Sequence, residues 1–144
     1  MSFLILNGPN LNLLGVRDTA LYGTVSFEAF LEDLRAQFPD EPIAYFQTNH
    51  EGSIIDKLHE TGFTVDGIIL NPGAYGHTSI AIRDAIGAIS APVVEVHITD
   101  IAKREAFRHH SMIADVCIAQ IAGRGLDGYT QALKLLIAQR PSGN

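Results

Sequence analysis

Cysteine, tryptophan and long apolar runs are scarce or missing in this sequence of 144 residues. The single cysteine, Cys117, cannot form an internal disulfide, and its place in an apolar run predicts a buried, unreactive thiol. No apolar run approaches the roughly 20 residues that span a bilayer. The N-terminus has neither a basic region nor a small-residue cleavage site, so we expect no secretory signal and a cytoplasmic protein.

Positive charge is also scarce. The sequence has 10 Lys and Arg against 16 Asp and Glu, which gives a net charge of -6. This balance argues against nucleic acid or an anionic membrane as the main partner, but it leaves room for a small anionic substrate held by a few arginines. A hydrophobic content of 47% suits one domain with a sizeable core, and we predict a single catalytic domain over residues 1–144.

Metal and nucleotide motifs are missing or misleading. There is no H-E-x-x-H motif and no Cys/His spacing typical of zinc, and the adjacent His109 and His110 would point about 100° apart on a helix. Gly123–Gly128 matches G-x-G-x-x-G, but no later strand remains to supply the acidic residue that binds a ribose. We interpret this motif as a tight turn whose backbone could still form part of a crevice. We predict neither a metal nor a cofactor.

Apolar runs alternate with segments of helical periodicity. The predicted strands cover Leu4–Leu6, Ile43–Phe46, Ile68–Leu70, Val93–Val96 and about Val116–Ile121. Apolar residues then recur with a spacing of about 3.6, except after the fourth strand, where Arg104–His110 predicts an irregular, short helical stretch. This alternation predicts an α/β fold. We expect a flavodoxin-like, doubly wound, five-stranded parallel sheet within a three-layer α/β/α sandwich.

Single residues mark the expected helix ends. Ser26 is a suitable N-cap for the first helix, and the segment before it, up to about Val25, is predicted to be a long loop. Gly62 is expected to end the second helix as a glycine C-cap. The polar residues 140–144 are expected to fray.

Polar clusters follow four of the predicted strands directly. They are Asn7–Asn10, Gln47–Gly52, Asn71–Ser79 and His97–Asp100. The loops after the strands of an open parallel sheet lie along one edge, where ligands bind. We therefore expect these clusters to converge on one crevice rich in amides, imidazoles and hydroxyls, which indicates a small-molecule site and an enzyme.

The long first loop contains Arg17 and Tyr22, and Gly15 and Gly23 flank this segment, so it could move as a lid. A phenol ordinarily titrates near pH 10, too high for a good base at neutral pH, but a nearby arginine favours the phenolate. Tyr22 is therefore a candidate base. The alternative is that Tyr22 packs its ring on the sheet edge while Arg17 is solvated.

Glu95 and His97 are two residues apart on a strand and therefore share a face of the sheet. Glu95 could hold the His97 ring and favour the imidazolium, which would make His97 a general acid at the mouth of the strand. The alternative is a histidine that makes an ordinary strand-end hydrogen bond.

Other polar groups at the same edge suit binding. Asn10 and Asn71 are each typical of turns, but together they could hold a water or a substrate hydroxyl. The backbone N–H groups of Ile98 and Thr99 would suit a carboxylate. Further along, Arg104 and Arg108 either reach this site or lie on a solvated helix face.

Longer motifs are spread over nearly the whole chain. They are Leu6–Gly15, Tyr22–Gly23, Gln47–Gly52, Asn71–Tyr75, His77–Ser79, Ile82–Ala85, Glu95–His97, Arg104–Glu105 and Phe107–Ser111. In these segments the sequence resembles the type II 3-dehydroquinate dehydratases. The resemblance implies a flavodoxin-like fold, a homododecamer built as a tetramer of trimers, and a lyase of the shikimate or quinate pathway. Such an enzyme converts 3-dehydroquinate to 3-dehydroshikimate through an enolate, without metal or Schiff base.

The same resemblance implies a role for each matching residue. Tyr22 would be the base, with Arg17 promoting its phenolate, and Asn10 would position a water at the enolate oxygen. His97, oriented by Glu95, would protonate the departing hydroxyl. The residues expected to bind the substrate are Asn71, Gly73, His77, Ile98, Thr99 and Arg108, with Asp84 reaching in from a neighbouring subunit.

The sequence departs from the usual family pattern at a few positions. Thr99 replaces a common serine and keeps the hydroxyl. Asp100 replaces an asparagine; it can still cap a helix, but it brings a negative charge near the expected carboxylate site. Gly76 replaces a threonine, and Ala102–Lys103 and Asp18–Thr19 also differ from the pattern.

Two other functions stay open from the sequence. One is a non-catalytic flavodoxin-like module that binds an anionic ligand or a partner protein, and the other is a dehydratase of a related cyclic hydroxy-ketone. The combination of Arg17, Tyr22 and His97 argues against the first, since binding alone needs no acid–base pair. Turnover and a substrate panel would separate the three.

Overall fold

A computed structural model describes residues 2–141 of the chain. Within that range the strands are β1 (Phe3–Asn7), β2 (Ile43–Gln47), β3 (Gly67–Asn71), β4 (Val93–His97) and β5 (Ala119–Ala122). The α-helices are α1 (Thr19–Tyr22), α2 (Phe27–Gln37), α3 (Glu51–Thr61), α4 (Ile80–Ala88) and α5 (Asp127–Gln139). Short 3-10 helices cover Leu11–Leu13, Gly73–His77, Ile101–Lys103, Ala106–Arg108 and Ala114–Val116.

The five strands form one parallel sheet in the order β2-β1-β3-β4-β5, which confirms the predicted flavodoxin-like arrangement. The chain runs from β1 outward to β2 and then returns to β3 on the other side of β1. The loops after β1 and β3 therefore leave the sheet in opposite directions. A crevice opens at such a point, outside the carboxyl ends of the strands.

Alternate residues of the central strands enter two separate cores, as the predicted three-layer sandwich requires. Ile5, Ile69 and Val94 pack with apolar residues of α2 and α5 on one face of the sheet. Leu6 and Leu70 pack with apolar residues of α3 and α4 on the other. All five positions of β1, β3 and β4 are buried, so the polar side chains Asn7, Asn71, Glu95 and His97 are fixed by packed strands.

The predicted start of the fifth strand is wrong. Val116 ends the 3-10 helix Ala114–Val116, and β5 begins only at Ala119. Pairing with the sheet starts just before, where the Ile118 N–H donates to the Val93 carbonyl at 2.9 Å. Cys117 therefore lies before the strand and is half-buried; burial, followed by the charges of Glu95 and Asp115, raises the pKa of its thiol to about 12. This value agrees with an unreactive thiol.

The helix ends were predicted with mixed success. The Ser26 hydroxyl accepts from the Ala29 N–H at 3.1 Å, which confirms the N-cap of α2. Gly62 does follow α3, but its φ of -66° is right-handed, so it is not a left-handed cap. A side chain there would collide with Ile89, since a Cβ would lie 2.4 Å from it, so close packing requires the glycine.

The connection after β1 and the C-terminal end of the described range also differ from expectation. The predicted first loop contains the short helix α1, which is too short to show any periodicity in sequence. Arg140 was expected to fray, but both of its terminal nitrogens contact Glu41 at 2.8 Å. The remaining part of that predicted tail, residues 142–144, lies outside the described residues. No helix within residues 2–141 is long and apolar enough to cross a membrane.

Candidate active site

The carboxyl ends of β1, β3 and β4, together with α1 and the segment after β4, enclose a cavity of about 140 Å³. The predicted site residues that line it are Asn10, Arg17, Tyr22, Asn71, Gly73, His77, His97, Ile98, Thr99 and Arg108. Glu95 is buried directly behind His97, and Asp84 is exposed on α4 and does not line the cavity.

The predicted convergence of four polar clusters is partly wrong, because Gln47–Gly52 does not line this cavity. Its strand, β2, lies at the edge of the sheet. Asn49 from this cluster instead braces the cavity wall. Its Oδ1 accepts from the Asn10 N–H at 3.1 Å, and its carbonyl accepts from the Tyr75 hydroxyl at 3.0 Å.

The loops after β1 and β3 touch each other closely. The Gly8 N–H donates to the Asn71 carbonyl at 2.8 Å, and a Cβ on Gly8 would lie only 2.6 Å from the Pro72 carbonyl oxygen. Only glycine fits there. Two residues later Asn10 has a φ of 71°, a left-handed conformation that asparagine tolerates better than most residues. This turn places Asn10 at the cavity.

Asn71 is held rigidly by a buried network. Its Oδ1 accepts from the Gly73 N–H at 3.1 Å, and its Nδ2 donates to the Tyr129 hydroxyl at 2.9 Å. Tyr129 in turn donates to Asn7 Oδ1 at 2.8 Å. Because a backbone N–H can only donate, the contact with Gly73 fixes which amide atom is the oxygen. Tyr129 is wholly buried, and this burial raises the pKa of its phenol. Sequence reasoning did not identify Tyr129 as part of the site.

Glu95 and His97 form a buried pair at the end of β4. His97 Nε2 lies 2.5 Å from Glu95 Oε2, so the predicted contact between the two side chains is present. His97 therefore directs Nε2–H to the carboxylate and leaves Nδ1 as its other nitrogen. Burial alone raises the pKa of the Glu95 carboxyl, but the hydrogen bond and charge of His97 and the Ser111 hydroxyl outweigh it, so that pKa lies below its ordinary value.

A second histidine stacks against the first but has a different partner. The ring centroids of His77 and His97 are 5.8 Å apart, and the two ring planes are inclined by 26°. His77 Nδ1 lies 2.8 Å from the His110 carbonyl oxygen and must donate to it, which leaves Nε2 as an acceptor. Burial, with smaller effects from the charges of His97 and Arg108, lowers the pKa of His77 despite that hydrogen bond. A neutral His77 does not oppose a positive charge on His97.

Two arginines contact Tyr22, and one of them was not predicted to do so. The Arg17 guanidinium lies over the ring, 4.5 Å from its centroid. Arg104 donates to the phenol oxygen at 2.9 Å. A charged hydrogen bond to the oxygen stabilises a phenolate more directly than a cation over the ring face. Arg104 was a candidate only as one of two arginines beyond β4, because nothing in an irregular connection indicates which side chain turns inward.

The Tyr22 ring also packs against the core that lies between the sheet and helices α2 and α5. This agrees with the alternative interpretation, in which the ring packs at the edge of the sheet. The same residue thus combines a packed ring with a partnered oxygen. Arg108, the other arginine beyond β4, lines the cavity and is paired with Glu105 at 3.0 Å. The segment after β4 therefore supplies two cationic groups to a protein with a net charge of -6.

The backbone just after β4 is oriented by the glycine-rich turn. The Gly125 N–H donates to the Ile98 carbonyl at 3.1 Å, and the Gly123 N–H approaches the His97 carbonyl at 3.3 Å. In a trans peptide the N–H points opposite to the carbonyl. The N–H groups of Ile98 and Thr99 therefore point away from the turn. The G-x-G-x-x-G segment does not line the cavity, but it orients the backbone that does.

Asp100 is occupied by a local hydrogen bond. Its carboxylate accepts from the Ala102 N–H at 3.0 Å, which confirms that it can cap the helix that follows. It does not line the cavity. Within residues 2–141 no three or more His, Cys, Asp and Glu residues lie close enough together to hold a metal ion.

Comparisons with known proteins agree with this architecture. Residues 1–137 match the family described as dehydroquinase class II. The chain is 54% identical to a 3-dehydroquinate dehydratase of Exiguobacterium sp., over 95% of this chain and 94% of that protein. It is 51% identical to a 3-dehydroquinate dehydratase of Bacillus pumilus, over 95% of each.

A solved structure agrees with the family match. The type II dehydroquinase from Butyrivibrio crossotus superimposes with a TM-score of 0.91 at 44% identity, over 95% of this chain and 97% of that one. The family match, the sequence identity and the shared fold all extend over nearly the whole chain. The chain belongs to the class II dehydroquinases.

Proposed function

We propose that this chain is a 3-dehydroquinate dehydratase, a hydro-lyase that converts 3-dehydroquinate to 3-dehydroshikimate in the shikimate or quinate pathway, with one catalytic domain over residues 1–144. The observation that carries the mechanism is a pair of partnered groups in one cavity. Tyr22 has Arg104 on its oxygen, and His97 has Glu95 on its Nε2. A base and an acid with separate partners are what a stepwise elimination needs.

In the first step the Tyr22 phenolate takes a proton from the carbon next to the ketone. The electron pair of that C–H bond moves to the ketone oxygen, which becomes an enolate. Arg104 on the oxygen and Arg17 over the ring place two positive charges beside the negative charge of the phenolate. Asn10 would position a water that donates to the enolate oxygen.

In the second step the enolate collapses and the C–O bond to the leaving hydroxyl breaks. His97 donates its Nδ1 proton to that hydroxyl, which departs as water, while the ketone and a new C=C bond form. Glu95 holds its carboxylate against the imidazolium that this step consumes. The proton on Tyr22 must then return to His97 before the next turnover.

The remaining cavity groups suit the substrate. The outward N–H groups of Ile98 and Thr99 would bind the carboxylate, and Gly73 forms another part of the cavity wall. Asn71 would donate to a hydroxyl oxygen near His97. His77, through its Nε2 acceptor, and Arg108 would bind ring hydroxyls.

The direct test is turnover, followed as the ultraviolet absorbance of the conjugated enone product. We expect activity with 3-dehydroquinate that survives a strong chelator and survives borohydride in the presence of substrate, since no lysine lines the cavity within the described residues. Binding of 3-dehydroquinate without turnover would favour the non-catalytic module. Faster turnover of another cyclic hydroxy-ketone would favour the related dehydratase.

A variant separates the two steps. In His97→Ala, Tyr22 can still remove the proton from the carbon next to the ketone. Exchange of this α hydrogen with deuterated solvent, measured by NMR, should therefore be retained when net dehydration is lost. Dehydration should fall at least about 10²-fold, the usual scale for losing a positioned acid. Dehydration by His97→Ala at the wild-type rate would refute the acid assignment.

We also propose that the enzyme is a closed homo-oligomer, a dodecamer, in which Asp84 completes the site of a neighbouring subunit. Asp84 is exposed on α4 and does not line the cavity of its own chain, so it is available to another. Sedimentation should show the oligomer, and Asp84→Ala should weaken substrate binding. An active monomer in sedimentation would refute this assembly.

A further inference from the structure

Ser111 lies behind the proposed acid rather than in the cavity. Its hydroxyl donates to Glu95 Oε2 at 2.7 Å, and the same oxygen accepts from His97 Nε2 at 2.5 Å. Glu95 is wholly buried, and its other oxygen, Oε1, has no hydrogen-bond partner among residues 2–141. Gln120, beside Glu95 in the register of β4 and β5, helps to lower the carboxyl pKa without completing a hydrogen bond to Oε1. Both hydrogen bonds on the carboxylate therefore end on one atom.

The direction of the Ser111 hydrogen bond is fixed by its surroundings. Ser111 Oγ accepts from the Ile113 N–H at 3.3 Å, so its single proton is left for the carboxylate. The neighbouring residues anchor the segment. The Met112 N–H donates to the Gly76 carbonyl at 2.7 Å, and the His110 carbonyl accepts from His77 at 2.8 Å. The chain from 110 to 112 thus braces both cavity histidines from behind.

We propose that Ser111 is a positioning residue for the acid: its hydroxyl keeps the Glu95 carboxylate ionised and aimed at His97 Nε2, so that Nδ1 faces the leaving hydroxyl. This role rests on the proposed function of His97. Ser111 does not line the cavity and acts only through Glu95. A hydrogen bond to a buried, charged group is among the stronger ones in a protein, so its loss should be measurable.

The proposal has a pH signature. The charged and titratable groups around Glu95 are His97 on the same strand, His77 stacked on His97, Arg108 near His77, and Cys117. The negative charge of Glu95 helps to raise the pKa of the Cys117 thiol. Burial works against the carboxylate, and the hydrogen bonds offset that effect. Without the Ser111 hydroxyl, Glu95 takes up a proton at a higher pH. The acidic limb of the kcat profile should therefore move to higher pH.

The test compares Ser111→Ala with Ser111→Thr and with a matched control, Ser90→Ala. Ser90 also donates to a buried acceptor, the Gly62 carbonyl at 3.3 Å, but it lies before the amino end of β4, whereas Glu95 and His97 lie toward the carboxyl end. Ser111→Ala should lower kcat about tenfold with little change in KM and shift the acidic limb upward. Ser111→Thr, which keeps the hydroxyl, should retain the wild-type limb, and Ser90→Ala should match the wild type throughout.

A double variant tests whether the effect passes through Glu95. Once Glu95→Gln has removed the ionisable group, adding Ser111→Ala should cost no further activity. Three results would each overturn the proposal. They are a wild-type kcat and pH profile in Ser111→Ala, an acidic limb displaced in Ser111→Thr, and activity losses of Glu95→Gln and Ser111→Ala that simply multiply in the double variant. An inactive His97→Ala beside a normal Ser111→Ala would refute the Ser111 role alone. An active His97→Ala would refute the proposed acid itself.

Discussion

The two proposed proton-transfer groups are held in very different ways. His97 belongs to a strand whose five residues are all buried, and Glu95 and Ser111 fix its ring from behind. Tyr22 belongs to α1, a helix of 4 residues with none buried, and its oxygen is held by an arginine side chain. The acid is thus part of the core, whereas the base is presented by a surface segment. Changes near the acid should cost stability and activity together, and changes near the base should cost activity alone.

The sharpest test of this contrast is Tyr22→Phe, which removes only the phenol oxygen. Turnover should fall at least about 10²-fold, while substrate binding and the thermal unfolding midpoint stay near the wild-type values. Tyr75→Phe is the matched control, since it removes a hydroxyl that donates to a backbone carbonyl outside the cavity. Near-normal turnover in Tyr22→Phe would show that the base is another group.

A smaller effect should separate the two arginines. Arg104→Ala removes a charged hydrogen bond to the phenol oxygen and should lower kcat by roughly 10- to 100-fold. Arg17→Ala removes a cation from the ring face and should lower it only by roughly 2- to 5-fold. Each should add little to Tyr22→Phe, because groups that act through a missing residue are not additive. Multiplying effects, measured by steady-state kinetics, would argue against their acting through Tyr22.

Two glycines test the same contrast through the thermal unfolding midpoint. Gly8→Ala would place a Cβ against the Pro72 carbonyl in the strand-end half of the site, so it should lower the unfolding midpoint by several degrees as well as kcat. Gly23→Ala meets no atom within 4 Å but strains a φ of +88° at the end of α1. Because α1 is a short surface helix that can shift to relieve this strain, the variant should reduce kcat severalfold with a smaller drop in the midpoint than Gly8→Ala. Equal loss of stability in both would contradict the contrast between the two halves.

The strand-end half was largely predictable from the sequence. Buried apolar strands place the residue after each run at one edge, so the convergence of Asn71, His97 and Thr99 follows from topology alone. The contact between Glu95 and His97 follows from the two-residue repeat of a strand. The same rule cannot say where pairing begins, which is why the apolar Val116 was placed in β5 although it ends a 3-10 helix.

The surface half was much less predictable. α1 is too short to show periodicity, and the segment that carries Arg104 and Ser111 contains only 3-10 turns. No local pattern in such a segment indicates which side chains face inward. The roles of Tyr129 and Ser111 depend on contacts 58 and 16 residues away along the chain, which only the folded structure brings together.

The fixed amide of Asn71 bears on the design of inhibitors. Oδ1 accepts from the Gly73 N–H and one Nδ2 hydrogen is donated to Tyr129, so the amide keeps a second Nδ2 hydrogen and cannot turn over without losing both contacts. A compound with an ether, carbonyl or carboxylate oxygen at that point would gain a hydrogen bond without any rearrangement of the protein. A compound with an ammonium or amide N–H there would meet a donor that the core prevents from turning over, and its affinity should suffer accordingly.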